Sequence, residues 1–448
     1  MTMTGPKTTR LAPRLLLGAL LCLAVTTPAA AQENPIAFRG AHIIPIAGAP
    51  IDDGVLIVHR GRITAVGPAA TVPIPAGAEV RDVAGKVVMP GLVDTHSHIG
   101  GGDGGDRSSS LHGDVRILDA LDARDDGIRK ARAGGLTTVN IMPGSGLLMS
   151  GQTAYVKLRE ARTIYDMLFC TDVLTEVCGG LKMANGTNPL AATPGVLPQT
   201  RARSAALVRA RFVKAQEYRD RLRAAGSDAA KRPPRDLELD ALVQVLDGRR
   251  VVHFHTHRHD DILTALRLAR EFGFRIVLQH VSEAWKVADE IAAANVPASI
   301  IVIDAPGGKL EAVDVSMENG AALERAGAMV GFHTDDGITD SRFFLRSAAL
   351  AVRNGMTRER ALYGMTLAGA RMLDLHERVG SLEVGKDADF IILSGDPLST
   401  YTRVEQTWVE GRKLFDLADP RDRAYAVGGY NVVRGSSHNH HADMEGHR

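Results

Sequence analysis

Between residues 87 and 335 of this chain, short β-branched apolar runs alternate with helix-like stretches, and several of those runs end in histidine. Such alternation is the sequence form of a parallel sheet whose strands are joined by crossover helices. Eight candidate strands follow in order: Val87 to Asp94, Leu136 to Ile141, Thr153 to Leu158, Gly180 to Ala184, Val251 to His255, Arg275 to His280, Ala298 to Ile303 and Ala328 to His333. Between them, Asp260 to Phe272 and Glu283 to Ala294 carry apolar residues near the 3.6-residue spacing of a helix. The expected fold is α/β, a (β/α)8 (TIM) barrel over residues 89–377.

The flanks read differently. Gly54-Val55-Leu56-Ile57-Val58-His59 and Arg62-Ile63-Thr64-Ala65-Val66-Gly67 near one end are matched in style by Asp389-Phe390-Ile391-Ile392-Leu393 and Thr407-Trp408-Val409-Glu410-Gly411 near the other. Strands with open edges need partners, so residues 32–88 and 378–416 are expected to pair into one small β-sandwich formed from both chain ends. Residues 186–250 are too long for a simple crossover. They carry a basic amphipathic helix near Arg201 to Ala225, expected as an insertion over the barrel mouth; a solvated face is the plainer reading of such a helix and a lid the sharper one. Residues 417–448 read as a tail whose histidines lie beyond any packed element.

Residues 1–31 read as a secretory signal. Lys7, Arg10 and Arg14 precede the apolar run Leu15 to Val25, and Ala29-Ala30-Ala31 supplies an A-x-A cleavage site. The run is short for a bilayer span, so the expectation is export to the periplasm or outside, with no stable membrane insertion. In that compartment Cys170 and Cys178 form either a disulfide or two separate buried thiols. Of the 448 residues, 53 are Lys or Arg and 52 Asp or Glu, giving a net charge of +1 that draws in neither nucleic acid nor an anionic membrane. Aromatic residues at 4% argue against stacking platforms for strands or long glycans, which leaves a small-molecule substrate.

His96-Ser97-His98 closes the first strand. Residues i and i+2 of a strand point the same way, so these two imidazoles can grip one cation. His253, His255 and His257 close the fifth strand, His280 the sixth, and Asp335 follows the eighth. These are the C-terminal ends of strands, where barrel active sites lie, and the interval from His96 to Asp335 is about one barrel long. Imidazole suits Zn²⁺ and similar borderline ions, and a carboxylate can bind the ion or take a proton from its water.

Gly91-Leu92-Val93-Asp94-Thr95-His96-Ser97-His98 resembles the opening motif of the amidohydrolase superfamily. Thr366-Leu367-Ala368-Gly369-Ala370-Arg371 and the stretch from Val379 to Asp389 resemble its closing segments. The likeness spans nearly all of the chain after the signal and is nearest to the imidazolonepropionase-like branch. By that resemblance His96 and His98 would bind a first metal ion and His255 and His280 a second, with His257 the alternative on the fifth strand. Asp335 would be a metal ligand or the general base. A two-ion site would also need a bridge, and a carbamylated Lys182 is the candidate, with Lys157 its alternative; Glu160 lies just past the third strand, and a one-ion site is the other possibility. Arg258, Lys309 and Arg342 follow strands five, seven and eight, where one could hold a substrate carboxylate. The implied activity is cleavage of a C–N bond in a small amide, peptide-like or cyclic, by a metal-activated water. Deamination on the same ligands and a non-catalytic metal-binding barrel are the alternatives.

Overall fold

The structure, a computed structural model, describes residues 1–2, 34–102, 104–191, 196, 198–302 and 310–428. The expected signal, apart from residues 1–2, therefore lies outside the described residues, as do Lys309 and the tail from residue 429.

Strands from both flanks share one eight-stranded sheet. Its order is Arg412–Asp416, Val404–Val409, Phe390–Leu393, Val87–Pro90, Ile36–Ile43, Ile51–His59 and Arg62–Pro68, with Glu79–Asp82 paired to Ile36–Ile43. The seam between the two flanks is antiparallel, with Met89 opposite Ile391. Apolar residues hold it: Phe38 meets Phe390 and Trp408 edge-on, each with centroids 5.0 Å apart, while Phe390 stacks on Trp408 at 5.5 Å. Aromatic pairs of this geometry add about 0.5–1.5 kcal/mol beyond the area they bury.

The middle of the chain supplies the parallel strands. Leu181–Ala184, Val252–Thr256, Ile276–His280, Ala298–Ile300 and Val330–Phe332 are successive parallel neighbours. Leu92–Ser97 pairs in parallel with Leu136–Ile141 in a separate three-stranded sheet. All are buried along their whole length, as parallel strands covered on both faces must be, and polar residues such as Thr95, Thr138 and Asn140 are buried with them. Two hydrogen bonds bring Leu92–Ser97 to the far side of the set. The Asp335 N–H donates to the His96 carbonyl (2.9 Å), and the Val93 N–H to that of Met365 (3.0 Å).

Three sequence expectations change. The run from Val87 to Asp94 is two strands, Val87–Pro90 in the flank sheet and Leu92–Ser97 in the parallel set. The break falls at Gly91, where a Cβ would stand 2.2 Å from Thr137 side-chain atoms, so only glycine lets the chain cross there. The third expected strand is Ala154–Lys157, but it runs antiparallel to Leu136–Ile141. Just before it lies a strand the sequence did not announce, Met149–Gln152, antiparallel to Leu181–Ala184. Met149-Ser150-Gly151-Gln152 contains no β-branched residue, so it carries no strand signal. The expected helix from Glu283 to Ala294 is a short turn, Ala284–Lys286, followed by a helix at Ala288–Ala293.

The helix Arg201–Ala225 starts where Thr200 caps it, its side chain accepting from the Arg203 N–H. It has a buried side as well as a solvated one. Val208, Phe212, Ala215 and Tyr218 are covered, and Phe212 stacks on Phe272 (5.1 Å) and Phe274 (4.9 Å) beside helix His259–Phe272. Cys170 and Cys178 form a disulfide. No helix among the described residues is long and apolar enough to cross a membrane.

Candidate metal centre

His96 and His98, one pleat apart at the end of their strand, turn to the same side, with their Nε2 atoms 3.2 Å apart. Asp335 Oδ1 closes on both, 2.8 Å from His98 Nε2 and 3.3 Å from His96 Nε2. His255, His257 and His280 make a second group, and His96, His280 and His333 a third; within each group, one ligand atom per residue lies within 4.8 Å of the others. His96 and His280 join the groups into one cluster, their rings 4.8 Å apart, and His255 lies 4.4 Å from His280. Every one of these imidazoles is buried.

Each of several rings is fixed by a bond from its outer nitrogen. His98 Nδ1 donates to the Met142 carbonyl (2.8 Å), His257 Nδ1 meets Ser282 Oγ (2.7 Å), and His333 Nδ1 meets Ser299 Oγ (2.9 Å). For His98 and His257 this is how ligating histidines are oriented, through the nitrogen turned away from the ion. His280 Nε2 is buried without a hydrogen-bond partner in the protein. Such an orphan is costly, and a cation would satisfy it. The donor set of imidazoles and one carboxylate therefore fits a divalent ion of the zinc type.

Burial, and next the Lys182 cation, push His96 well below the ordinary histidine range; burial, and next His255, do the same to His280. Burial brings His333 down to about 3. These rings are thus neutral, the form that offers a lone pair to a metal. The backbone is strained here: His280 (φ 70°), Val281 (φ 42°) and Asp335 (φ 48°) all sit in the left-handed region. Non-glycine residues persist there only when their surroundings over-determine them, as at functional sites.

The two lysines separate cleanly. Lys182 Nζ lies 2.9 Å from His96 Nε2 and 3.0 Å from Met142 Sδ, inside the cluster. Lys157 is instead engaged by Asp387, by Asp389 (3.1 Å) and by Glu410 (3.4 Å), so it belongs to a structural ion cluster and not to the histidines. Arg258 is held by Asp260 through two bonds of 3.0 Å, and Arg342 by Asp340 and the Gly428 carbonyl, so neither guanidinium is brought to the cluster by these bonds. Asp336 meets Lys130 (2.8 Å) and accepts the Ser341 N–H (3.1 Å), fixing the loop after the eighth strand. His253 bonds Tyr155 (2.9 Å), and His259 opens its helix against Glu283 (2.6 Å).

Two residues were not anticipated. His333 belongs to the cluster, and the same i, i+2 rule that joins His96 to His98 would have joined it to Asp335. Glu311 is fully buried, 3.9 Å from His255 Nε2, and accepts the Thr187 N–H (2.5 Å). Nothing in its local text marks it.

The amidohydrolase family profile matches residues 239–414. A solved amidohydrolase from Thermotoga maritima is 32% identical, with a TM-score of 0.77 over 85% of this chain and 100% of that one. The amidohydrolase tasK of Hapsidospora irregularis is 28% identical over 83% of this chain, which spans only 41% of that protein. Imidazolonepropionase of Deinococcus radiodurans is 26% identical over 83% of this chain and 91% of its own. The chain belongs to the amidohydrolase family, in its imidazolonepropionase-like branch, and is an enzyme acting on carbon–nitrogen bonds.

Proposed function

We propose that the protein is an exported, metal-dependent hydrolase that cleaves the C–N bond of a small amide, peptide-like or cyclic, at the histidine cluster. The observation that carries this reading is the convergence of His96, His98 and Asp335 with His255, His257 and His280, joined where the His96 and His280 rings lie 4.8 Å apart. The seven parallel strands, with the antiparallel stretch from Met149 to Lys157 in the third place, are read as a (β/α)8-type barrel closed between Leu92–Ser97 and Val330–Phe332, and the flank sheet as the small sandwich beside it. The bond from Asp335 to the His96 carbonyl supports that closure. Export is supported by the leader-like text before residue 32 and by the Cys170–Cys178 disulfide, a bond that persists in oxidising compartments.

One or two divalent ions, zinc or similar, would be held by His96, His98, His255 or His257, His280 and Asp335. A bound ion of this kind lowers the pKa of water and polarises a carbonyl. Asp335, its Oδ1 2.8 Å from His98 Nε2, is placed to accept the proton of the attacking water and return it to the leaving nitrogen. Burial keeps His96, His280 and His333 neutral, and a site removed from bulk water strengthens each of these interactions. Lys182 is the bridging candidate: carbamylation by CO₂ would turn its cation into an oxygen donor beside His96.

The test is a panel of dipeptides and cyclic amides, assayed for amine and for ammonia release before and after chelation. Amine release that chelation abolishes and zinc restores is expected. Ammonia release would move the assignment to deamination, and hydrolysis that survives complete metal removal would refute metal dependence.

A further inference from the structure

Behind the cluster, four buried side chains from four strands or their ends form an unbroken hydrogen-bond chain. Thr95 Oγ1 lies 2.6 Å from Ser299 Oγ, Ser299 Oγ lies 2.9 Å from His333 Nδ1, and His333 Nε2 lies 3.1 Å from His280 Nδ1. At one end the Thr95 hydroxyl reaches the Phe332 carbonyl (3.5 Å). At the other end stands His280 Nε2, buried and without a hydrogen-bond partner.

The polarity of this chain follows from its carbonyl terminus. A carbonyl oxygen only accepts, so the Thr95 hydroxyl donates to Phe332. Thr95 then accepts from the Ser299 hydroxyl, and Ser299 accepts from the Nδ1–H of His333. A neutral imidazole with its hydrogen on Nδ1 carries a lone pair on Nε2, which accepts from the Nδ1–H of His280. His280 is left with a lone pair on its buried Nε2. The reverse polarity would put a hydrogen on that buried nitrogen with no protein acceptor for it, whereas a lone pair there can be met by a cation.

We propose that His333 is a positioning residue and not a cation ligand: through the Thr95–Ser299–His333 chain, the Phe332 carbonyl fixes the tautomer of His280 so that its Nε2 stays a cation-binding lone pair. His333 stands close enough to His96 and His280 to be counted as a ligand by distance alone. In this polarity, however, its Nε2 lone pair is taken by His280 and its Nδ1 bears hydrogen. The inference rests on the metal-dependent reading of the site.

The experiment measures Zn²⁺ affinity by chelator competition and Zn²⁺ stoichiometry by elemental analysis on the full chain, beside thermal midpoints of the metal-free forms. Thr95→Val and Ser299→Ala should weaken Zn²⁺ binding by about 10–100-fold at unchanged stoichiometry, the scale of lost outer partners to ligating histidines. Thr95→Ser keeps the hydroxyl and should bind as the unaltered protein does. His333→Asn should weaken binding over the same range and also keep the stoichiometry. Should Thr95→Val not fold, Ser299→Ala and Thr95→Ser carry the comparison. Unchanged affinity in the folded hydroxyl-deleted variants would overturn the relay. Loss of a whole Zn²⁺ equivalent in His333→Asn would make that residue a ligand, and an unaltered protein that binds no Zn²⁺ would overturn the metal-dependent reading itself.

Discussion

Lys157 and Lys182 are both wholly buried on neighbouring parts of the same framework, yet their surroundings differ in sign. Lys157 is ringed by the carboxylates of Asp387, Asp389 and Glu410, with Arg62 and Arg378 sharing Asp387 from outside. It ties the strand Ala154–Lys157 to the segment where the chain returns to the flank sheet. Lys182 stands against an imidazole and a thioether. A buried ammonium among carboxylates is a joint, compensated on the spot. One set against lone-pair donors belongs with the chemistry those donors perform.

Breaking the joint should have the largest effect on stability. Lys157→Met leaves buried carboxylates without their cation and should lower the unfolding free energy by about 3–5 kcal/mol, read from the urea midpoint. Cation content per folded molecule should not change; if it falls in step with stability, the two lysines do not separate as described. Asp335→Asn should do the reverse, retaining most of the metal while turnover drops about 10²-fold or more. Steady-state kinetics with metal analysis decide this, and loss of metal would make Asp335 chiefly a ligand.

A smaller effect is expected beside Lys157, where its Nζ lies 5.2 Å from the Phe169 ring, next to the Cys170–Cys178 disulfide. Reducing that bond should lower stability by about 2 kcal/mol, since the loop it closes is short, with activity per folded molecule unchanged. Thermal melts with and without reductant measure it. The smallest stability change belongs to Lys182→Met, a swap of similar volume, within about 1.5 kcal/mol. Its signature should instead be reduced bound cation and turnover; a variant that keeps both would remove Lys182 from the site.

What the sequence made legible follows the same division. His96, His98, His255, His280 and Asp335 were readable because each ends an apolar run, and a strand end is a position that local text defines. Lys157 was not, since its partners are Asp387, Asp389 and Glu410, more than two hundred residues later, and no local pattern links them. Neither the antiparallel course of Ala154–Lys157 nor the strand Met149–Gln152 before it is marked in the local text, and Gly91 splits the first run for a reason found in Thr137. His333 was within reach of the strand-alternation rule, whereas the burial of Glu311 is a tertiary fact alone.

The most direct test of the account is the cation content of the purified protein compared with that of His96→Asn, each measured by elemental analysis beside amide hydrolysis. The account predicts at least one tightly held divalent ion in the unaltered protein, and loss of both ion and activity in the folded variant, because His96 belongs with His98 and Asp335 and stands against His280 of the other group. A His96→Asn protein that keeps its full complement of metal and its turnover would contradict it.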